Sequence, residues 1–217
     1  MCCRDNREEE RAKLLLAVPQ NQLKLKVCIV GDAGVGKTCL LHRFCGSEYP
    51  GDGVVCTTVG TDIFLTEVMC SEEEQLQWGS LVKDGSLPVQ LCDTAGQERF
   101  AVLVGSQLRH ATAVIMVFST EDTGSLQQLL EYWYSDVVLP TCRDQLGILV
   151  VGNKSDVQAE TLHQEELLGQ LCQRLESHGE MFSCVETSAK ADPGARQIFE
   201  AFIKRIASRV VAEKKPA

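Results

Sequence analysis

The stretch KVCIVGDAGVGKTCLL, residues 26 to 41, constrains this chain more than any other feature. It sets three glycines and a lysine between two apolar runs, the first rich in β-branched residues. Without Cβ atoms at Gly31, Gly34 and Gly36, the loop can turn successive N–H groups inward as a nest. A helix starting directly behind it aims the positive end of its dipole at the same place. Gly31, four residues on, then Gly36, Lys37 and Thr38 fit the spacing G-x-x-x-x-G-K-[ST]. Such a loop holds a di- or triphosphate. Asp32, Ala33 and Val35 complete it, Cys39 opens the helix, Lys37 brings a point charge to the outer phosphates, and Thr38 offers a hydroxyl to magnesium.

Composition narrows the setting. A chain of 217 residues with 44% hydrophobic content can bury one full core and fits a single globular domain. Its formal charge of −9 disfavours a non-specific nucleic-acid binder, which needs a basic face, so any phosphate is held locally. The eleven cysteines are scattered, with no C-x-x-C pair and no zinc spacing, and read as small core hydrophobes in a reducing compartment. No apolar run reaches 18 residues and the charged N-terminus does not read as a signal peptide, so a cytoplasmic protein is expected.

Strands and helices alternate, which predicts an α/β fold with a mostly parallel sheet. Expected strands are Leu23–Val30, Thr61–Met69, Val89–Cys92, Ala113–Phe118, Ile148–Val151 and Ser183–Val185. Expected helices are Lys37–Phe44, Ser125–Leu139, Gln164–Ser177 and Gly194–Val211. Residues 1–22 read as an N-terminal extension, 23–208 as the domain and 209–217 as a short tail. The long connection CSEEEQLQWGSLVKDGSLP reads as an extended, solvated loop between the second and third strands.

Three further motifs sit at strand ends. In DTAGQERF, Asp93 is placed to reach magnesium through a water, with Gly96 beside it, and Gln97 is placed to orient an attacking water. In GNKSD, the Asp156 carboxylate can accept two N–H bonds from a guanine edge, where adenine presents acceptors; this disfavours an ATP-using enzyme. Asn153 is suited to tie the loop together, and the stem of Lys154 to lie against base or ribose. In ETSAK, N–H groups around Ser188, Ala189 and Lys190 can donate to the guanine oxygen. Singly, each is an ordinary turn; in this order, after a phosphate loop, they are far more specific.

On these motifs residues 23–208 resemble the Ras superfamily of small GTPases, with DTAGQERF and ETSAK most like the Rab branch. The resemblance implies a P-loop NTPase fold with a six-stranded sheet and five helices, GTP and GDP with Mg²⁺ as ligands, and two nucleotide-sensitive switch segments. By position it makes Thr58 a switch threonine that joins magnesium in the GTP state, and Tyr49 an aromatic packing on guanine. Lys37, Thr58 and Gln97 become the catalytic set, with Ala33 close to Gln97. An exchange factor, a GTPase-activating protein that lends an arginine, and effectors become the partners of a monomer; intrinsic hydrolysis is expected to be slow.

Three departures stand out. The effector-facing aromatic positions of Rab proteins carry Ile63, Cys92 and Leu108, so that surface is expected to be absent. The connection after Met69 is long and carries Glu72–Glu74 and Trp78; beside the solvated loop, an exposed Trp anchoring a partner is the second reading. The chain reads to AEKKPA with no cysteine after Cys184, so either the sequence is trimmed or the protein is not prenylated, and acylation of Cys2 or Cys3 or contact through partners is another route to a membrane. Vesicle or intraflagellar transport is the expected setting, and a nucleotide-holding scaffold subunit with little hydrolysis is the rival.

Overall fold

The apolar runs that alternate with amphipathic segments assemble into one six-stranded sheet with helices on both faces. A computed structural model describes residues 25–49, 51, 61–94, 101–142, 146–157 and 161–214, with backbone alone at 101–103, 161, 162 and 214. The strands are β1 (Leu25–Val30), β2 (Thr61–Met69), β3 (Ser86–Thr94), β4 (Ala113–Ser119), β5 (Gly147–Asn153) and β6 (Met181–Glu186). Their order is β2-β3-β1-β4-β5-β6, parallel except for the β2–β3 pair. β1, β4 and β5 are covered on both faces, which is why they are almost continuously apolar.

The helices are α1 (Lys37–Phe44), α2 (Glu72–Trp78), α3 (Ala101–Leu108), α4, α5 (Thr161–Ser177) and α6 (Ala195–Lys214). α4 is a continuous helix built from Thr123–Gln128, a widened segment Leu129–Val138, and Leu139–Thr141. In the widened part the Leu139 N–H donates to Tyr134 O, five residues back, the bond of a π-helix. Six helices are therefore present among the described residues, where five are expected. α6 continues into the expected tail as far as Lys214.

Each face of the sheet has its own core. Leu25, Val27 and Ile29 point to the side where α1, α2 and α6 pack, with the Phe44 and Phe199 rings stacked at 4.8 Å. Cys28 and Val30 point to the side covered by α3, α4 and α5, where Trp133 and Tyr134 are buried.

The connection between β2 and β3 departs from the expected loop. Ser71 caps α2 by accepting from Glu74 N–H at 3.2 Å, and Glu74 returns a bond to Ser71 N–H at 2.8 Å, a capping box. The three glutamates fill the first turn, where the helix dipole favours negative charge. Trp78 is 3% exposed and lies within the core, so it anchors the connection to its own domain and not an outside partner. Glu74 also meets Lys204 of α6 at 2.8 Å.

The three positions that the resemblance compares with aromatic residues differ in burial. Cys92 and Leu108 are 0% and 1% exposed, and Ile63 alone of the three reaches solvent. Cys92 and Leu108 are part of the core on the α3, α4 and α5 side.

Candidate functional site

β1 lies between β3 and β4, so the chain diverges to both sides at its C-terminal end, the place where open α/β sheets form a crevice. The phosphate loop occupies that place. Gly31 has φ 141°, and a Cβ there would collide with the carbonyl oxygen of Val117 on β4. Gly36 has φ 96°, and a Cβ would strike the Asn153 amide. Both positions require glycine for conformation and for close approach together.

Lys37, at the first position of α1, is 6% exposed. Its ammonium donates to Gly31 O at 2.8 Å and Asp32 O at 2.7 Å, curling over the loop. Burial pushes its pKa down to about 8, and the Asp93 and Asp32 carboxylates oppose that shift. Thr38 donates to Asp93 Oδ2 at 2.7 Å, joining the loop to the end of β3. A hydroxyl and a carboxylate side by side are hard oxygen donors and fit magnesium, completed by phosphate oxygens and water. Among the described residues there is no cluster of three or more His, Cys, Asp or Glu that could hold a metal ion.

Asn153 ends β5 and is 2% exposed. Its Nδ2 donates to Val35 O at 2.8 Å and its Oδ1 accepts from Ala189 N–H at 3.0 Å. One amide thus joins the backbone of the phosphate loop to that of the ETSAK loop. Lys154 adopts φ 68°, uncommon for a residue with a side chain, and its ammonium pairs with Glu121. Asp156 is exposed just beyond, while Ser188 and Ala189 are buried and Lys190 exposed. Tyr49 lies half-buried against the core near α1. Thr58, Gly96 and Gln97, like Cys2, Cys3 and the extension 1–22, fall outside the described residues.

Two residues that the motifs do not announce complete the arrangement. Trp133, in the widened part of α4, donates its indole N–H to Asp32 Oδ1 at 2.7 Å and braces the phosphate loop from the side. Asp192 accepts from Thr187 Oγ1 at 2.5 Å and from Gly194 N–H at 2.6 Å, closing the ETSAK loop on itself. The Asp192-Pro193-Gly194 turn signal lay in the sequence, whereas nothing near Trp133 pointed to Asp32.

Known proteins match this arrangement. The model of the Ras family matches residues 26–208. Ras-related protein SEC4 of Saccharomyces cerevisiae is 32% identical over 192 residues, 88% of this chain and 78% of its own length. GTP-binding protein YPTM2 of Zea mays is 31% identical over 195 residues, 90% of this chain and 86% of its own. Ras-related protein Rab-7b of Bos taurus is 31% identical over 193 residues, 88% of this chain and 86% of its own. The chain belongs to the Ras family, as a Rab-like small GTPase.

Proposed function

We propose that this chain is a switch in intracellular membrane transport that takes GTP or GDP with magnesium, hydrolyses GTP slowly, and engages effectors in the GTP state. The observation that carries the reading is Asn153, whose amide makes the phosphate loop and the base loop one unit. Lys37 lies ready to exchange its two loop carbonyls for phosphate oxygens, whose negative charge would offset the desolvation of its ammonium. Thr38, Asp93 and, in the GTP state, Thr58 are the residues that would hold magnesium; the ion neutralises charge developing on the phosphoryl oxygens. Asp156 accepts from guanine, the Ala189 N–H region faces its oxygen, Tyr49 is the aromatic neighbour of the base, and Gln97 orients the attacking water. The domain would span 23–208, flanked by the extension and the short tail.

Family membership supports regulators that load nucleotide and lend an arginine. No helix among the described residues is long and apolar enough to cross a membrane, so contact through partners or through acylated Cys2 or Cys3 fits the reading. The scaffold alternative is not favoured, since the sequence keeps Gln97 and the family the chain belongs to is one of small GTPases. The test pairs competition binding with single-turnover phosphate release. GTP is expected to outcompete ATP, Asp156→Asn to shift preference toward xanthosine triphosphate, and Gln97→Leu to retain GTP while releasing phosphate more slowly. Equal competition by ATP would overturn the base assignment, and unchanged release by Gln97→Leu the catalytic one.

A further inference from the structure

Two thiols away from the nucleotide end face each other. Cys172 lies on α5 and Cys184 on β6, with their Sγ atoms 3.4 Å apart. Both residues are only half-buried, so each reaches solvent in part, and Cys184 also lines a cavity of about 120 Å³ with Phe118, Val150, Leu168 and Glu186. Cys28 and Cys92 also face each other, across β1 and β3, but both are fully buried and out of reach. The 3.4 Å separation puts the two sulfurs in direct contact, ahead of a disulfide bond of about 2.05 Å.

We propose that Cys172 and Cys184 form a dithiol modification site that reacts with a low-molecular-weight disulfide, such as glutathione disulfide, to give an intramolecular disulfide joining α5 to β6. The first step is attack by the Cys172 thiolate on one glutathione sulfur. A Cys172–glutathione mixed disulfide forms, the glutathione S–S bond breaks, and one glutathione leaves and takes a proton. Cys184 then attacks the Cys172 sulfur, giving up its proton as the second glutathione departs. Two protein thiols are oxidised and one glutathione disulfide is reduced to two glutathiones. Burial pushes the Cys184 thiol up to about 12, with its hydrogen bond to Cys172 adding to the shift, so Cys184 stays protonated and Cys172 meets the oxidant first.

The chain from Cys184 runs directly into the ETSAK loop, and the Thr187 N–H already bonds to Gly152 O at 2.9 Å. The crosslink would therefore fasten the base-side end of the sheet to α5. The site itself is independent of the nucleotide reading.

The experiment incubates the full-length protein in glutathione redox buffer, quenches with an alkylating reagent, and maps peptides without reduction. A linked peptide containing Cys172 and Cys184 is expected, at about tenfold the yield of any other cysteine pair, because access and proximity coincide at this pair alone among the described thiols. Cys184→Ser is expected to accumulate glutathione on Cys172 and Cys172→Ser to abolish the link. Two alkylated thiols in wild type, or another dominant pair, would overturn the proposal, and the wild-type map decides even should a variant fail to fold.

Discussion

The two ends of β3 are built on opposite terms. At its start, Ser86 follows a connection whose capping box and acidic first turn obey the ordinary rules for a helix and whose Trp78 side chain is buried in the core, with Asp84 at φ 50° and a buried indole N–H as local exceptions. At its end, Asp93 is a fully buried carboxylate beside a buried lysine and a loop of left-handed glycines. The first end is stabilised by apolar burial and loses stability when trimmed. The second tolerates desolvated charge and narrow backbone geometry, features that would be a liability unless a ligand used them. Buried charge thus marks the working end, and apolar burial the supporting end.

That contrast can be broken by experiment. Trp78→Ala is expected to cost about 4 kcal/mol of unfolding free energy in urea titration, while guanine nucleotide affinity of the folded protein stays within about twofold. A parallel fall in affinity would mean the two ends are coupled. Asn153→Ala is expected to do the reverse most strongly, since it strands the Val35 carbonyl and the Ala189 N–H. Nucleotide affinity should drop by roughly 10²-fold, about 3 kcal/mol, measured by fluorescent-nucleotide displacement.

Trp133→Phe keeps the packing of α4 and removes the bond to Asp32, so an affinity loss of about tenfold, near 1.4 kcal/mol, is expected, with little change in thermal midpoint. A drop in midpoint without an affinity loss would assign Trp133 to the core alone. The smallest effect belongs to Glu74. Partial burial pushes its carboxyl up, but the Lys204 ammonium and the Ser71 N–H outweigh that and hold it below the usual carboxylate value. Because the folded value is depressed, the stabilisation is present above the ordinary glutamate range and fades as pH falls through the folded value. Glu74→Gln should cost at most about 0.5 kcal/mol near neutrality, and the gap to wild type should close in acid denaturation profiles.

The strands covered on both faces were legible because burial leaves no room for polar residues: β4 and β5 were read nearly to their ends. β3 extends beyond the expected Val89–Cys92 to Ser86–Thr94, since Pro88 interrupts the apolar pattern on one side and the polar Asp93 and Thr94 end it on the other, while pairing with β2 continues over all nine residues. α2 was missed because seven residues are too few for a helical period to emerge, although the Ser71-x-x-Glu74 cap was present. α3 was not legible because AVLVGSQL is apolar almost throughout, with Gly105 inside it, so no amphipathic period stands out. The glycine loop, Asp93 and Asn153 were legible since their chemistry depends on side-chain type at fixed spacing. The brace from Trp133 was not, because the widening of α4 and the 101-residue separation from Asp32 leave no local trace.

The central place of β1 also sets a timetable for synthesis. β1 is among the first described segments to leave the ribosome, yet its neighbours are residues 86–94 and 113–119, and the amide that joins its loop to the base side is residue 153. Such distant parallel pairings close slowly, after loop-closure entropy has been overcome. A nascent chain therefore carries its nucleotide loop unassembled until about two thirds of the protein has emerged, exposing apolar strands to chaperones meanwhile. Ribosome-stalled chains ending before residue 153 would hold an incomplete receptor, and nucleotide would act as a late folding ligand, favouring the finished domain by mass action.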